Sequence, residues 1–183
     1  MKRMIRVFLF GAAVALVGAA SAQHQPYAGQ QGREIKALSA DEVRQYLAGA
    51  GMGYAKSAEL NHYPGPMHVL ELADPLGLSA EQQAQARALM SAHKAAARAI
   101  GAKLVESERR LEHLFLSGNV AEGALARAVR AAAQLNGEYR LSHLDTHRRM
   151  RALLSAEQVA RYDELRGYGD RPGVRHDGQH HTR

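Results

Sequence analysis

The sequence feature that most constrains the fold is a long run from Ser79 to Ser117 that contains no proline and one glycine, Gly101. Helix-forming residues fill this run, and Ser79 with Gln82 forms a capping box, in which each side chain bonds a free backbone N–H of the first turn. Side chains that recur every three or four residues share one face of a helix. The predicted inner face consists of Ala86, Leu89, His93, Ala96, Ile100, Leu104, Ser107, Leu111 and Leu114. The run therefore predicts one long amphipathic helix.

A second long helix is predicted directly after this run. The tight connection Ser117-Gly118-Asn119 precedes it, and Asn119 with Glu122 is predicted to cap its first turn. Because the connection is short, the two helices are expected to fold back on each other as an antiparallel hairpin. The predicted inner face of the second helix consists of Leu125, Val129, Ala132, Asn136, Tyr139, His143, Thr146 and Met150.

Shorter helices are predicted on both sides of the hairpin, so the fold class is all-α. They begin at the capping boxes Ser39 with Glu42 and Ser155 with Gln158, cover 54–60 and 67–73 in between, and end at Gly49, Asp74-Pro75 and Gly167. At ~1.5 Å per residue the first long helix spans ~57 Å, which predicts an elongated molecule. Such a hairpin has two broad faces, so we expect a homodimer or the short helices to cover one of them.

The first 22 residues have the composition of a secretory signal peptide. A basic start is followed by an apolar run from Val7 to Ala20 and by the small residues Ala20-Ser21-Ala22, which predicts export to the periplasm with cleavage near Ala22. An uncleaved signal anchor is the alternative. No later stretch is long and apolar enough for a membrane span, so the cleaved protein is not expected to be an integral membrane protein. The predicted mature chain divides into a flexible lead-in at 23–38, a helical domain at 39–168 and a disordered, histidine-containing tail at 169–183.

A repeated pentapeptide connects the chain to a known family. LSAEQ occurs at 78–82 and again at 154–158, and the near copy LSADE occurs at 38–42. These segments resemble the LTxxQ repeat of the Spy/CpxP-like periplasmic proteins, which include stress-induced chaperones and related heavy-metal-resistance sensors. The resemblance covers roughly residues 67–168, with serine where the family usually has threonine. It implies a curved antiparallel dimer that binds unfolded or misfolded periplasmic proteins without ATP, or that regulates an envelope stress response through a membrane sensor protein.

Histidine is the residue type that could carry chemistry in this chain. His143 and His147 lie four residues apart on one helix face, and the hairpin register places His93 opposite Leu144 and Met90 opposite His147. Three imidazoles suit Zn, Ni or Cu(II), and Met90 would be a soft fourth ligand for Cu(I). The alternative is that His93 and His143 are hydrogen-bonded structural residues and His147 is solvated. His68 and His113 are interpreted as ordinary surface or interface residues. The tail histidines His176, His180 and His181 are expected either to bind a metal ion loosely or to lie in a disordered segment without a metal.

Other functional classes lack the residues that they need. The chain has no cysteine, and its serines inside predicted helices lack the strand-to-helix elbow of a hydrolase, so no enzymatic activity is predicted. No GxxxxGK[ST] loop is present, so nucleotide binding is not expected. Export argues against nucleic acid as a partner, despite a formal charge of +6. Binding of a membrane surface by the basic segment Arg148–Arg151 is a third and weaker hypothesis.

Overall fold

The computed structural model describes residues 26–169, and within that range the secondary structure consists of six helices and no strand. The predicted signal peptide, its predicted cleavage point and residues 170–183 of the predicted tail lie outside the described residues. Two compact units are distinguished, residues 1–31 and residues 32–183. The described part of the first unit is a turn in which the N–H of Gln30 donates to the carbonyl of Tyr27. The second unit contains all six helices.

Two long helices form the hairpin that the sequence predicts. They are α4, Ala80–Leu116, and α5, Glu122–Leu153, which pack against each other along their length. The shorter helices are α1 Ala40–Ala48, α2 Lys56–Glu59, α3 Pro66–Glu71 and α6 Ala156–Arg166. The all-helical hairpin architecture is therefore confirmed, whereas the dimer stays a prediction. Within residues 26–169 no helix combines the length and the apolar character that a membrane span requires.

The three predicted serine capping boxes are all present. The hydroxyls of Ser39, Ser79 and Ser155 each accept a hydrogen bond from the backbone N–H three residues later, at 3.1–3.2 Å. In each box the glutamate or glutamine at that position bonds back to the serine N–H at 2.8–3.0 Å. Gly49 and Gly167 close α1 and α6 in the left-handed conformation, with φ of 68° and 72°. Local chemistry thus sets these ends.

The predicted Asn119 cap is wrong. Helix α5 begins at Glu122, two residues later than an Asn119 cap requires, and its N-cap residue Ala121 makes no side-chain hydrogen bond. The hydroxyl of Ser117 accepts from the N–H of Asn119 at 3.3 Å instead. The turn is therefore organised by Ser117, and the chain runs on in an extended conformation before the helix begins.

The repeated pentapeptides at 78–82 and 154–158 meet in space. Their amides form a reciprocal pair, in which Gln82 Nε2 donates to Gln158 Oε1 at 2.8 Å and Gln158 Nε2 donates to Gln82 Oε1 at 3.0 Å. Their leucines, Leu78 and Leu154, are 8% and 6% exposed and belong to the same core cluster. The repeat therefore both starts α4 and α6 and ties these starts together.

Two separate core clusters stabilise the helical unit. The first joins the start of α4 to α3, α6 and the end of α5, and consists of Val69, Leu76, Leu78, Ala86, Leu89, Met150, Leu154, Val159 and Tyr162. The second joins α1 to the middle of α4 and α5, and consists of Ile35, Tyr46, Ala97, Leu104, Val105 and Tyr139. Ile35, which the sequence places in the flexible lead-in, is 3% exposed. His93 and His143 lie between the clusters along the hairpin.

The inner faces of the long helices differ in part from the predicted ones. Ala96 and Asn136 are exposed and Val129 is 48% exposed, whereas Ala97 and Gly101 are buried. The cause is α1, which packs against α4 so closely that a Cβ atom on Gly101 would lie 2.1 Å from the Tyr46 carbonyl oxygen. Because α4 packs against α1 as well as α5, its buried face differs from the face that packing against α5 alone would bury.

Candidate functional site

His93 of α4 and His143 of α5 are side by side, as the predicted hairpin register requires. Their ring centroids are 4.5 Å apart and the ring planes are at 83°. Tyr54 and Tyr139 surround His143, with ring centroids at 6.1 Å and 4.7 Å. His93 and His143 are therefore in contact with each other across α4 and α5, and His143 also contacts two tyrosine rings.

His143 has one ring nitrogen bonded and the other free. The side chain is buried, and Nδ1 lies 2.9 Å from the carbonyl oxygen of Tyr139. Because a carbonyl oxygen only accepts, Nδ1 carries the proton of the neutral ring, and Nε2 keeps its lone pair. Nε2 is buried and makes no hydrogen bond within the usual limits of distance and angle, although the carbonyl of Ala50 also favours a proton on the ring. A buried acceptor without a hydrogen bond is costly, so this atom is a candidate metal ligand.

Both of these imidazoles are neutral near pH 7. The pKa of His93 is lowered to about 4, mainly by burial and to a smaller extent by repulsion from His143 and His147 when those rings are protonated. Burial also lowers the pKa of His143, although the carbonyls of Tyr139 and Ala50 oppose this change by favouring the protonated ring. A neutral imidazole is the form that binds a metal ion, so protons compete little for these sites.

His147 is held by a different set of contacts. Its Nδ1 lies 2.7 Å from the carbonyl oxygen of Tyr63 and 3.4 Å from Glu59 Oε2. Gly65 allows this position, because a Cβ atom there would lie 2.8 Å from His147 Cε1. Among residues 26–169 no group of three or more histidines, aspartates or glutamates is placed to hold a metal ion. The structure brings His93 and His143 together and directs His147 toward the 59–65 segment, so the three-histidine site stays a prediction.

Glu59 is a half-buried carboxylate that no sequence pattern identified. It accepts hydrogen bonds from the hydroxyl of Tyr162 and, at 3.1 Å, from the N–H of Gly65, and it lies 3.9 Å from Arg166 Nε. These contacts join α2 to α6 beside His147. No motif in the 54–66 segment could have identified Glu59, because its role depends on contacts with distant parts of the chain.

A cavity of about 730 Å³ opens beside the histidines. The Gly49–Gly53 loop, α2, α3 and the middle of the hairpin surround it. The lining residues that carry soft or borderline metal donors are Met52, Met67, Met90, His68, His93, His143 and His147. Met90 and the three hairpin histidines were predicted to be neighbours, whereas Met52, Met67 and His68 arrive from short elements whose packing the sequence did not specify. His113, in contrast, is exposed on the surface of α4.

The family model described as LTXXQ motif family protein matches residues 66–166, more than half of the chain. The match starts at the first residue of α3 and ends at the last residue of α6. The matched range therefore includes the hairpin, both pentapeptides and all four histidines that line the cavity. No curated protein and no solved structure matches the chain.

Proposed function

The chain belongs to the LTXXQ motif family, and from that premise we propose that it works in the periplasm as an ATP-independent chaperone or envelope-stress regulator that binds misfolded protein. The observation that carries the proposal is a set of large apolar side chains exposed on the hairpin. Phe115 and Leu116, at the end of α4, are 58% and 60% exposed, and Leu141 on α5 is 64% exposed.

These exposed side chains suit the binding of unfolded clients. An unfolded chain offers apolar side chains without a fixed shape, so a surface that binds many clients needs exposed apolar area more than a shaped pocket. Burial of apolar area stabilises such a complex by roughly 25 cal/mol per Å² before the entropic costs of association. No nucleotide is required for this kind of binding, because the exposed area is available in the resting protein.

An aggregation assay tests the proposal. The mature chain is added to reduced α-lactalbumin in a buffer with a chelator and no nucleotide, and light scattering is followed. We expect the chain to suppress scattering and the double variant Phe115→Ser, Leu116→Ser to lose most of this effect. Leu47→Ser, at a side chain that is 48% exposed on α1, is the matched control and is expected to act like the wild type. Failure of the wild-type chain to reduce scattering would contradict the proposal.

A second candidate function is periplasmic heavy-metal sensing or resistance, with Zn, Ni or Cu as the ion. The observation that favours it is shared by His143 and His147, since in both rings Nδ1 faces a backbone carbonyl. A carbonyl at Nδ1 fixes the tautomer whose Nε2 can bind a metal, and this outer contact is typical of ligating histidines. A membrane sensor protein would be the partner in this case.

Calorimetric titration separates the two functions. Saturable binding of Zn, Ni or Cu(II) near one ion per chain or per dimer, lost in the triple variant His93→Ala, His143→Ala, His147→Ala, would support metal sensing. The chaperone proposal instead expects client binding that is unchanged by a chelator. A triple variant that binds these ions as the wild type does would exclude the three histidines as the site.

A further inference from the structure

The cavity beside the histidines has the size and the wall of a site for a small organic molecule. Its volume of about 730 Å³ is within the range of roughly 300–1,000 Å³ that is usual for such sites. Alanine, glycine and methionine residues make up much of its wall, together with Leu60 and Pro66. Methionine side chains are flexible and adapt to ligands of different shapes. The wall therefore suits an apolar and flexible ligand.

Two large apolar side chains of this wall are exposed to solvent. Leu60, at the end of α2, is 50% exposed, and Met67, on α3, is 47% exposed. An apolar chain in the cavity would cover both side chains and remove their surface from water. Phe115, Leu116 and Leu141, which carry the proposed client binding, are not among the lining residues. The cavity is therefore a different surface from the one proposed for clients.

The charged residues of the lining favour an anion. Its cations are Lys56, Lys94 and Arg166, and its one carboxylate is Glu59. Among residues 26–169 neither lysine makes an ion pair. Both oxygens of Glu59 already accept hydrogen bonds, one from the Tyr162 hydroxyl and one from a backbone N–H. The positive charges of the lining thus exceed the negative charge, which is complementary to an anionic ligand.

Arg166 keeps hydrogen-bond donors free for such a ligand. A guanidinium has five N–H donors, and within the described part of the chain Arg166 donates one of them, to the Tyr168 hydroxyl at 3.2 Å. Its Nε lies 3.9 Å from Glu59 Oε1, which is too far for a hydrogen bond. The side chain is 31% exposed, so a ligand can reach it. A carboxylate is the anion whose two oxygens match the guanidinium fork.

We propose that this cavity binds a fatty acid anion, a single alkyl chain that ends in a carboxylate. The alkyl chain lies against the alanine, glycine and methionine wall and covers Leu60 and Met67. The carboxylate accepts hydrogen bonds from the Arg166 guanidinium and is attracted by Lys56 and Lys94. The inference goes beyond client binding and metal sensing and depends on neither.

The methionine methyl groups report where the ligand binds. A chain that begins at Gln23, with ¹³C-methyl-labelled methionine, is titrated with decanoate below its micelle concentration in a buffer with a chelator. We expect the NMR signals of Met52, Met67 and Met90 to shift with saturation at one ligand per chain. Met150, buried in the first core cluster, is expected to stay unchanged. No shift at the three cavity methionines, or an equal shift at Met150, would overturn the inference.

The choice of ligand tests the apolar wall and the cations separately. Calorimetry with hexanoate, octanoate and decanoate should give an affinity that rises roughly fourfold for each buried methylene. The uncharged 1-decanol should bind about tenfold more weakly than decanoate, because it cannot replace a charged hydrogen bond to Arg166. Equal affinity for hexanoate and decanoate, or for decanoate and 1-decanol, would overturn the inference.

Variants of the cations assign the site of the carboxylate. Arg166→Gln is expected to weaken decanoate binding about tenfold and Lys94→Gln about threefold, with 1-decanol binding unchanged in both. The matched control Lys103→Gln, exposed on α4 outside the cavity, is expected to bind decanoate as the wild type does. Circular dichroism checks each fold, and Lys94→Gln decides if Arg166→Gln does not fold. Unchanged decanoate affinity in every folded variant of Arg166 and Lys94 would overturn the inference.

The double variant Phe115→Ser, Leu116→Ser separates this site from the client surface. It is expected to bind decanoate as the wild type does, whether or not the wild type binds α-lactalbumin. Loss of decanoate binding in this variant would place the ligand on the client surface and overturn the inference.

Discussion

The close approach of α1 to α4 predicts a large effect for Gly101→Ala. A Cβ atom at Gly101 would lie 2.1 Å from the carbonyl oxygen and 2.8 Å from the carbonyl carbon of Tyr46, and 3.2 Å from Tyr139 Cε2. The first two atoms are backbone, so no rotamer change can relieve the contact and α1 must move away. Such overpacking costs about 1–3 kcal/mol or more, whereas alanine gains about 1 kcal/mol over glycine in helix propensity.

We therefore expect Gly101→Ala to lower the free energy of unfolding by about 2 kcal/mol. This figure is an overpacking cost of about 3 kcal/mol less the gain of about 1 kcal/mol in helix propensity. The matched control is Gly137→Ala on α5, where a Cβ atom would meet nothing within 4 Å. That variant is expected to be stabilised by up to about 1 kcal/mol, because only helix propensity changes.

Urea unfolding of a chain that begins at Gln23, followed by circular dichroism at 222 nm, measures the free energy of unfolding of both variants. The predicted loss corresponds to a fall in Tm of roughly 4–8 °C for a chain of this size. Opposite signs for Gly101→Ala and Gly137→Ala would support the packing described here. If Gly101→Ala were as stable as Gly137→Ala, α1 would not contact α4 at this glycine and the second core cluster would be wrong.

Three further predictions follow from single contacts. The pKa values of His93 and His143 are lowered in the folded state, so the unfolded chain binds more protons. The free energy of unfolding should therefore fall as the pH drops from about 6.5 toward 4. Urea unfolding at several pH values should show a shallower fall in His93→Gln, and an unchanged pH dependence of the free energy of unfolding would contradict this. The Gln82 and Gln158 amides are hydrogen-bonded to each other. Gln82→Leu and Gln158→Leu should therefore each lower the free energy of unfolding by about 1–2 kcal/mol, with a coupling of about 1 kcal/mol in a double-mutant cycle. Additive losses in the double variant would refute the pairing. Gly65→Ala should displace the ring of His147, visible as a shifted imidazole signal in long-range ¹⁵N NMR spectra, with His113 unchanged; an unmoved His147 signal would contradict the close contact.

The helical hairpin and most helix ends could be predicted because they depend on local chemistry. Ser39, Ser79 and Ser155 cap their helices through side chains three residues away, so the sequence alone contains both partners. The short turn fixed the register, which placed His93 beside α5 near His143. The predicted Asn119 cap is wrong for a local reason too, because Ser117 can also bond the backbone of this turn, and its hydroxyl is the group that accepts from the Asn119 N–H.

The rest could not be predicted because it depends on how distant segments pack. Gly101 looks like a weak point in a long helix, yet it is the position where α1 contacts α4. Met52, Met67 and Glu59 belong to a segment without clear periodicity, and their place around the cavity follows from the folding of α2 and α3 onto the hairpin. The Spy/CpxP-like resemblance is confirmed by the family match, while the client, the ion and the partner remain proposals.

Direct binding of an unfolded protein tests the central claim. Fluorescently labelled, reduced and carboxymethylated α-lactalbumin is titrated with a chain that begins at Gln23, in a buffer that contains a chelator and no nucleotide, and fluorescence anisotropy is measured. Saturable binding that weakens in the Phe115→Ser, Leu116→Ser variant but not in Leu47→Ser is the predicted result. An anisotropy that does not change, or that rises only after a metal ion is added, would contradict metal-independent client binding.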